Sequence, residues 1–573
     1  MSESKISRRD MLKSLGGISL ASLAGRAQER TTQQTRPNII YIMTDDHATH
    51  ALSCYGSRIN ETPNLDRIAN EGMRFDNCFV TNSLCAPSRA TILTGKYSHL
   101  HGQETNADTF DGSQQTFPKL VQDVGYNTAV VGKWHLRSDP TGFDYWNVLP
   151  GQGRYFNPDF IENGVNRNYS GYVTDIITDL AIDYLENRDP NAPFFLSIGH
   201  KAPHRGWQPR SDYEDMYEEY SIPEPETFYD DYYDRASPAA HANMRIADMP
   251  DYSAPSGLSE TEVQQYKYQQ FIKDYLRTIA SVDDNVGRLL DYLDANNLAD
   301  NTVVVYTTDN GFFLGDHGWF DKRFMYEESL RIPLLVRYPR EIPGGSVRDE
   351  MVLNLDFAET LLDYAETEIP SDMQGRSLRP LLRGEEATDW RQSVYYHYYE
   401  YPGPHTVRPQ YGVRTQRYKL IHYYTIDEWE LFDLDQDPHE MHNIYDEPDY
   451  QMVVNQLKNE LQDLRSFYNE PEAAIATGLS ESTPEGFALS QNYPNPFNGE
   501  TQIDFRIPES TEVRVEIFNP LGQKVTELVN GTLNAGRHSF IWDAANQRVA
   551  SGTYVCRVTS PGIEESIRMS YVK

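Results

Sequence analysis

The sequence predicts an α/β sandwich built on a large, mixed but mostly parallel sheet, with a smaller α+β C-terminal subdomain and a terminal β-sandwich. Three observations carry this expectation. Continuous apolar runs closed by polar residues alternate with helix-like segments from Pro37 past Asn310. From about Asp389 the texture changes to tyrosine-rich alternating segments followed by a helix-like stretch. From about Gly486 onward, short alternating segments are separated by turn signals such as N-P-L-G and N-A-G.

Composition narrows the function classes. At 573 residues the chain exceeds one ordinary domain, and 39% hydrophobic with 12% aromatic residues is enough for a large core. A formal net charge of −34 argues against nucleic acid as a partner. It does not argue against an anionic substrate, because a few cations focused in a cleft dominate locally. The four cysteines (Cys54, Cys78, Cys85, Cys556) are too few for a disulfide framework, and whether Cys54 and Cys78 pair stays open.

Residues 1–36 read as an export signal and spacer. S-R-R-D-M-L-K, Ser7 to Lys13, precedes the short apolar run Leu15 to Ala24, the pattern of a twin-arginine signal. That run is too short for a stable membrane span, so the protein is expected to be exported to the periplasm, the cell surface or the medium.

Residues 37–388 carry the main domain. P-N-I-I-Y-I-M-T-D-D from Pro37, N-T-A-V-V-G-K-W-H from Asn127, P-F-F-L-S-I-G-H from Pro193 and T-V-V-V-Y-T-T-D-N-G from Thr302 read as strands buried on both faces. Thr62 to Glu71 and Glu260 to Asn296 read as helices between them. Each strand ends in chemically capable residues, and in open α/β sheets ligands bind beyond the carboxyl ends of the strands, so these endings should converge. Residues 389–468 form the smaller subdomain, with a turn at Asp435 to Pro438 and a helix from Asp449 to Tyr468. A linker rich in Glu, Ser, Thr and Pro spans 469–484, and residues 485–573 form the terminal sandwich.

The string L-C-A-P-S-R-A-T-I-L-T-G-K, Leu84 to Lys96, places a cysteine beside an arginine where a helix begins. Residue chemistry leaves two readings: a thiolate activated by the helix terminus and Arg89, or a buried structural thiol. The motif C-A-P-S-R with the following A-T-I-L-T-G-K resembles the sulfatase signature C-x-P-S-R. That resemblance implies an alkaline-phosphatase-like fold and hydrolysis of sulfate esters. It also implies that Cys85 is oxidised to formylglycine by a formylglycine-generating or sulfatase-maturing enzyme. A hydrated aldehyde suits the reaction: one hydroxyl attacks sulfur, and deprotonation of the other expels sulfate and regenerates the aldehyde. A thiol or serine would be left with a stable sulfate ester. The helix N-terminus favours an anion there.

Asp45 and Asp46 close the first strand, and Asp309 and Asn310 close a later one. Four oxygen donors without cysteine or histidine suit a hard divalent cation, calcium rather than zinc. The resemblance implies that they hold Ca2+, which binds a sulfate oxygen and the formylglycine hydroxyl. Lys133 and His135 lie two apart at a strand end, so both are expected on one side. By resemblance Lys133 and Lys322 contact the sulfate, and His135 takes the proton from the formylglycine diol. Arg89, one helical turn after Cys85, should stabilise the developing alkoxide. In H-K-A-P-H-R, His204 is assigned as the acid that protonates the leaving oxygen, with His200 the lesser candidate.

H-K-A-P-H-R-G-W-Q-P, G-D-H-G-W-F-D-K and Y-E-Y-P-G-P-H resemble the branch containing N-acetylglucosamine-6-sulfatases of bacterial glycan degraders. The implied substrate is a sulfated carbohydrate, with Asp316, His317 and His405 as sugar contacts and the insert Tyr213 to Asp251 as a channel wall or a solvated excursion. Iduronate 2-sulfate and ulvan-type algal esters are alternatives. So are a phosphatase or phosphonate monoester hydrolase of the same superfamily, with His47 and His317 as extra zinc ligands, and a silent glycan-binding protein. Q-N-Y-P-N-P-F-N, Gln491 to Asn498, with S-G-T-Y from Ser551, resembles the C-terminal sorting domain of the type IX secretion system, which implies secretion machinery as a partner.

Overall fold

The strand Asn38–Thr44 (β1) is apolar because it is buried on both faces. Ile39, Tyr41 and Met43 pack into the core on one side of the sheet, Ile40 and Ile42 into that on the other. This computed structural model describes residues 36–57, 59–470, 487–489, 492, 495–507, 510–533, 536–544, 549–561 and 563–572. The expected signal, the linker from residue 471 and part of the Gln491 to Asn498 motif lie outside the described residues.

β1 belongs to a ten-stranded sheet. Its further strands in chain order are Met73–Phe75 (β2), Asn127–Lys133 (β3), Tyr145–Leu149 (β4), Asp159–Glu162 (β5), Val165–Asn168 (β6), Phe194–Gly199 (β7), Thr302–Thr308 (β8), Leu334–Arg337 (β9) and Ser346–Arg348 (β10). The spatial order is β10-β2-β9-β8-β1-β7-β3-β4-β5-β6. The five central strands, β8 through β4, run parallel, whereas β9, β5 and β6 pair antiparallel at the margins. The sheet is therefore mixed and mostly parallel, as the buried runs predict.

Helices cover both faces. Pro63–Glu71 (α1), Val173–Asn187 (α3) and Glu260–Ala295 (α4) pack on one side and Cys85–Thr94 (α2) and Phe357–Tyr364 (α5) on the other, while Gln451–Phe467 (α6) joins the same core from the C-terminal subdomain. α4 opens with a capping box: Ser259 Oγ accepts from Glu262 N–H, and Ser259 N–H donates to Glu262 Oε2 at 2.8 Å. α2 is buried at every position, so it lacks a polar face, and it ends at Gly95 in the left-handed conformation (φ 63°).

Four antiparallel strands, Ser393–Tyr398, Gln410–Thr415, Tyr418–Tyr423 and Glu428–Asp433, form a second sheet against α6. Tyr395, Tyr396, Val413 and Leu431 share one continuous core with Phe79, Leu353 and Phe357 of the main layer. Consistent with that shared core, Met1–Glu470 is one compact unit and Pro471–Lys573 a second. The second unit holds a three-stranded sheet (Ala488–Leu489, Glu500–Ile507, Gly536–Asp543) and a four-stranded one (Thr511–Phe518, Lys524–Leu533, Gly552–Ser560, Ile563–Tyr571). Its core includes Phe497, Ile503, Val515, Trp542 and Tyr554, and Val513, Val515 and Ile517 alternate inward. Lys524–Leu533 and Ile563–Tyr571 are strands that the sequence reading did not single out. All four thiols are free, so Cys54 and Cys78 do not pair. No described helix is long and apolar enough to cross a membrane.

Candidate active site

Parallel pairing of β1 with β8 sets Thr44 opposite Thr308, so the residues that follow, Asp45-Asp46 and Asp309-Asn310, emerge side by side. Asp46 takes a left-handed backbone (φ 67°) and its N–H donates to Asp309 Oδ1 at 3.2 Å. Tyr275 of α4 braces this turn, donating from its hydroxyl to Asp46 O at 2.7 Å and accepting from Ala48 N–H at 2.8 Å. Asp45, Asp46, Asp309 and Asn310 are all essentially inaccessible to solvent.

Cys85 begins α2 directly above these carboxylates. Its Sγ lies 3.4 Å from Asp45 Oδ1, 4.0 Å from Asp46 Oδ1 and 3.5 Å from Lys322 Nζ. The next residue, Ala86, donates its N–H to Asn106 Oδ1 at 3.0 Å, so a loop twenty residues on satisfies one of the donors that the helix start leaves open. Burial drives the Cys85 thiol above its ordinary value, and Lys322 only partly offsets this. A thiol held protonated is a poor nucleophile, so the burial of Cys85 does not favour the activated-thiolate reading.

Four cations answer the acidic cluster. Arg89 donates from Nε to Asp309 Oδ2 at 2.9 Å and from Nη1 to Lys133 O at 2.9 Å, while its Nη2 approaches Asp45 Oδ1 at 4.0 Å. Lys133 Nζ rests against Asp45 Oδ2. Lys322 Nζ donates to Asp46 Oδ1 at 2.5 Å. Burial is the largest single influence on Lys322 and disfavours its charge, but Asp46, Cys85, Asp321 and Asp309 together outweigh it and the ammonium titrates above its usual range. Lys201, inside the H-K-A-P-H string, was missed as a site group; it is buried, donates to Arg205 O at 3.2 Å and sits 4.8 Å over the Tyr155 ring.

His204 Nδ1 lies 2.7 Å from Arg205 O, and a carbonyl only accepts, so this nitrogen carries the proton. Nε2 then faces Asp46 Oδ2 at 3.7 Å. Burial foremost, followed by the Lys133 charge, holds the ring well below the usual histidine range. His200 is buried behind it with no hydrogen bond at Nδ1. Lys133 and His135 do not share a strand face as expected: β3 stops at Lys133, and His135 has a left-handed backbone (φ 58°). Gly132 (φ 93°) begins this departure, and a Cβ there would meet Gly199 O at 2.1 Å. Burial pushes His135 down to about 2, with the Lys133 and Arg89 charges adding to the effect.

Ligand atoms of Asp45, Asp46, Cys85 and Asp309 lie within 4.8 Å of one another. Asp45 Oδ2, Asp46 Oδ2 and Asn310 Oδ1 are buried and accept no hydrogen bond, although the first touches the Lys133 ammonium. Hard oxygen donors without aligned donors, concentrated between three carboxylates, fit a hard divalent cation. A zinc set built with His47 and His317 does not form among the described residues. His47 Nδ1 is bonded to Tyr306 OH at 2.8 Å, and His317 Nδ1 to Asp230 Oδ2 at 2.9 Å.

Residues 37–367 match the sulfatase family, more than half of the chain. The chain belongs to the sulfatase family. Residues 315–467 match the N-sulphoglucosamine sulphohydrolase C-terminal family, and residues 490–562 match the FlgD Ig-like domain. The sulfatase is 47% identical over 515 residues to an N-acetylglucosamine-6-O-sulfatase of Bacteroides thetaiotaomicron, covering 81% of this chain and 92% of that protein. It is 31% identical over 392 residues to the N-acetylglucosamine-6-sulfatase of Homo sapiens, covering 63% and 67%. A solved protein in complex with its substrate D-glucosamine-2-N,6-O-disulfate aligns with a TM-score of 0.74 at 47% identity, covering 76% of this chain and 99% of that one. The protein is a sulfuric ester hydrolase.

The three residues expected to contact sugar have different surroundings. Asp316 is half-buried; its Oδ2 accepts from Leu314 N–H at 3.1 Å and lies 3.6 Å from His50 Nε2. His317 is fully buried among Phe313, Trp319 and Tyr326, so the sulfatase does not bring it to the cluster around Cys85. Hydrophobic neighbours and the Asp230 bond make it a packing residue. His405 has both ring nitrogens engaged, Nδ1 with Asn243 O at 2.7 Å and Nε2 with Asp321 Oδ2 at 3.2 Å. It braces Asp321, the neighbour of Lys322, and has no ring nitrogen left for a sugar. The insert Tyr213 to Asp251 packs here through Asn243 and Met244, whose backbone bonds His405 and Phe320. Asn106 and Tyr275 had no motif to mark them in the sequence, and Asp321, inside G-D-H-G-W-F-D-K, was passed over beside Lys322.

Proposed function

We propose that this sulfatase removes 6-O-sulfate from N-acetylglucosamine or a closely related sugar of a sulfated polysaccharide, using a formylglycine made from Cys85 and a Ca2+ ion. The observation that carries the reading is Cys85 at the start of α2, set between the Asp45–Asp46 carboxylates and the Lys322 ammonium. The 47% identity across 92% of a 6-O-sulfatase supports the sugar and position.

Bound by Asp45, Asp46, Asp309 and Asn310, the cation would polarise a sulfate oxygen, and the oxidised residue 85 would supply a hydroxyl nucleophile. Every other part belongs to the chain. Lys133 and Lys322 orient the sulfate through its oxygens and balance its charge. Arg89 ties α2 to Asp309 and keeps a positive charge beside the attacking oxygen. His204, its Nδ1–H fixed on Arg205 O, would act as the doubly protonated ring, its charge balanced by the bound sulfate ester: it gives the Nε2 proton to the departing sugar oxygen and returns to the neutral imidazole. His135 accepts the proton from the residue-85 hydroxyl when sulfate leaves. Asp316 is the sugar contact that we retain.

We further propose export by the residue 1–36 signal to the periplasm, cell surface or medium. Residues 37–388 and 389–468 then act as one catalytic body, linked by 469–484 to a type IX sorting domain at 485–573.

The experiment is a screen of purified, matured protein against defined substrates, combined with mass spectrometry of the Cys85 peptide. N-acetylglucosamine 6-sulfate should be turned over far faster than iduronate 2-sulfate, ulvan oligosaccharides or phosphate monoesters, and the peptide should carry the mass of formylglycine. An unmodified thiol in active protein would refute the nucleophile; preference for another sulfate position would refute the substrate.

A further inference from the structure

Gln152 lies in the loop joining β4 to β5, between two glycines in the left-handed region, Gly151 (φ 57°) and Gly153 (φ 67°). A Cβ at Gly153 would come within 2.8 Å of the Leu149 side chain, and Gly153 N–H donates to Pro150 O at 3.2 Å. This tight turn directs the Gln152 side chain inward, where Oε1 accepts from Lys133 Nζ at 2.5 Å. The residue itself is half-buried.

The consequence is geometric. An ammonium has three N–H donors in a fixed tetrahedral arrangement. Lys133 Nζ donates to Gln152 Oε1 and is in contact with Asp45 Oδ2, so the ammonium is held from two sides and its remaining donors have little freedom to turn. Without Gln152 the ammonium pivots about its Asp45 contact. A carboxamide is also the right group chemically, because it holds the ammonium without cancelling the charge that an ester sulfate requires. The Gln152 Nε2 group makes no other hydrogen bond among the described residues, and it brings two further donors beside that ammonium.

We propose that Gln152 is a positioning residue of the sulfate site: it orients Lys133 through Oε1 and offers its amide N–H groups to the sulfate. This rests on Lys133 being a sulfate-binding cation. It adds a residue from a loop that carries none of the motifs.

The test uses matured, calcium-supplemented full-length protein and inorganic sulfate as the probe. Affinity is read by calorimetry and by competitive inhibition of turnover. Gln152→Ala should weaken sulfate binding about tenfold, the loss of one charge-assisted hydrogen bond. Gln152→Glu, nearly isosteric, should weaken it about a hundredfold, because a carboxylate neutralises Lys133 and repels the anion. A structural role alone would not rank the two variants in this order. Sulfate affinity in Gln152→Glu equal to that of wild type overturns the inference, as does wild-type protein that binds no inorganic sulfate. If the Glu variant does not fold, unchanged affinity in Gln152→Ala overturns it alone. Wild-type protein that binds sulfate, loses it in the Glu variant and releases none from sugar esters would refute the proposed substrate while supporting the role of Gln152.

Discussion

Arg89 Nε donates to Asp309 Oδ2 at 2.9 Å, joining residues 220 positions apart in a place where both are buried. The contact ties the helix that carries Cys85 to the strand end beside β1. It also orients Nη1 toward Lys133 O and leaves Nη2 2.8 Å from Asp309 Oδ2 and 4.0 Å from Asp45 Oδ1.

Arg89→Lys keeps the charge but loses the planar fork that reaches Asp309 Oδ2 and Lys133 O at once. We expect kcat/KM to fall by about 10²–10³, the usual cost of one preorganised electrostatic group. Arg89→Ala strands a buried carboxylate and should also lower stability by about 3–5 kcal/mol. Steady-state kinetics and thermal melting check both; wild-type kinetics in the lysine variant would contradict the role.

His204→Ala should separate substrates by leaving group. On a sugar sulfate, whose alkoxide leaves poorly, kcat should drop by about 10²–10⁴. On a nitrophenyl sulfate, whose phenolate needs no proton, the loss should be much smaller. Equal losses on both would mean that His204 is not the acid.

Chelation should abolish turnover and lower the melting temperature, and Ca2+ should restore both better than Zn2+. At a hundredfold excess over Kd, a bound ion stabilises by about 2.7 kcal/mol. Asp309→Asn should blunt this thermal shift, a readout independent of activity. Zinc restoring activity best would favour a different donor set.

His101 gives a pH dependence of stability. Its Nδ1 accepts from Gln103 N–H at 3.1 Å, its Nε2 lies 3.1 Å from Thr91 Oγ1, and burial pushes it down to about 3. The folded pKa lies below the unfolded one near 6.5, so the unfolded chain takes up the proton first. The stabilisation is complete above pH 6.5 and is lost as pH falls toward 3, by up to about 1.4 kcal/mol per unit. Melting curves between pH 7 and 5 should fall more steeply for wild type than for His101→Gln; parallel curves would contradict this.

Deleting residues 484–573 should leave kcat/KM within about twofold, because surface truncations away from packed groups change stability little. The catalytic residues lie within Met1–Glu470, a compact unit whose core is complete without the second. Loss of activity in folded, truncated protein would show that the terminal unit takes part.

Much of the architecture could be read locally. The run Asn38–Thr44 announces a strand buried on both faces, and Glu260 to Asn296 announces a long helix, observed to Ala295. Burial leaves its trace in each residue's own chemistry, so such segments are visible one at a time. The same holds for Asp45-Asp46, C-A-P-S-R and G-K-W-H, whose reactive groups crowd into a few adjacent positions. The spacing of Lys133 and His135 misled, because alternation assumes a continuing strand and the chain turns left-handed at His135.

The sequence by itself determined which groups are present: three acids and an amide at two strand ends, a cysteine at a helix start, and cations to balance them. Only the tertiary structure decided which of them meet. It set Thr44 beside Thr308, turned Gln152 onto Lys133, engaged both nitrogens of His405 and sank His317 into an aromatic cluster. The reason is physical. Strand register, loop conformation and the last hydrogen-bond partner of a buried group depend on contacts between residues far apart in the chain, and these leave no period or motif around either partner.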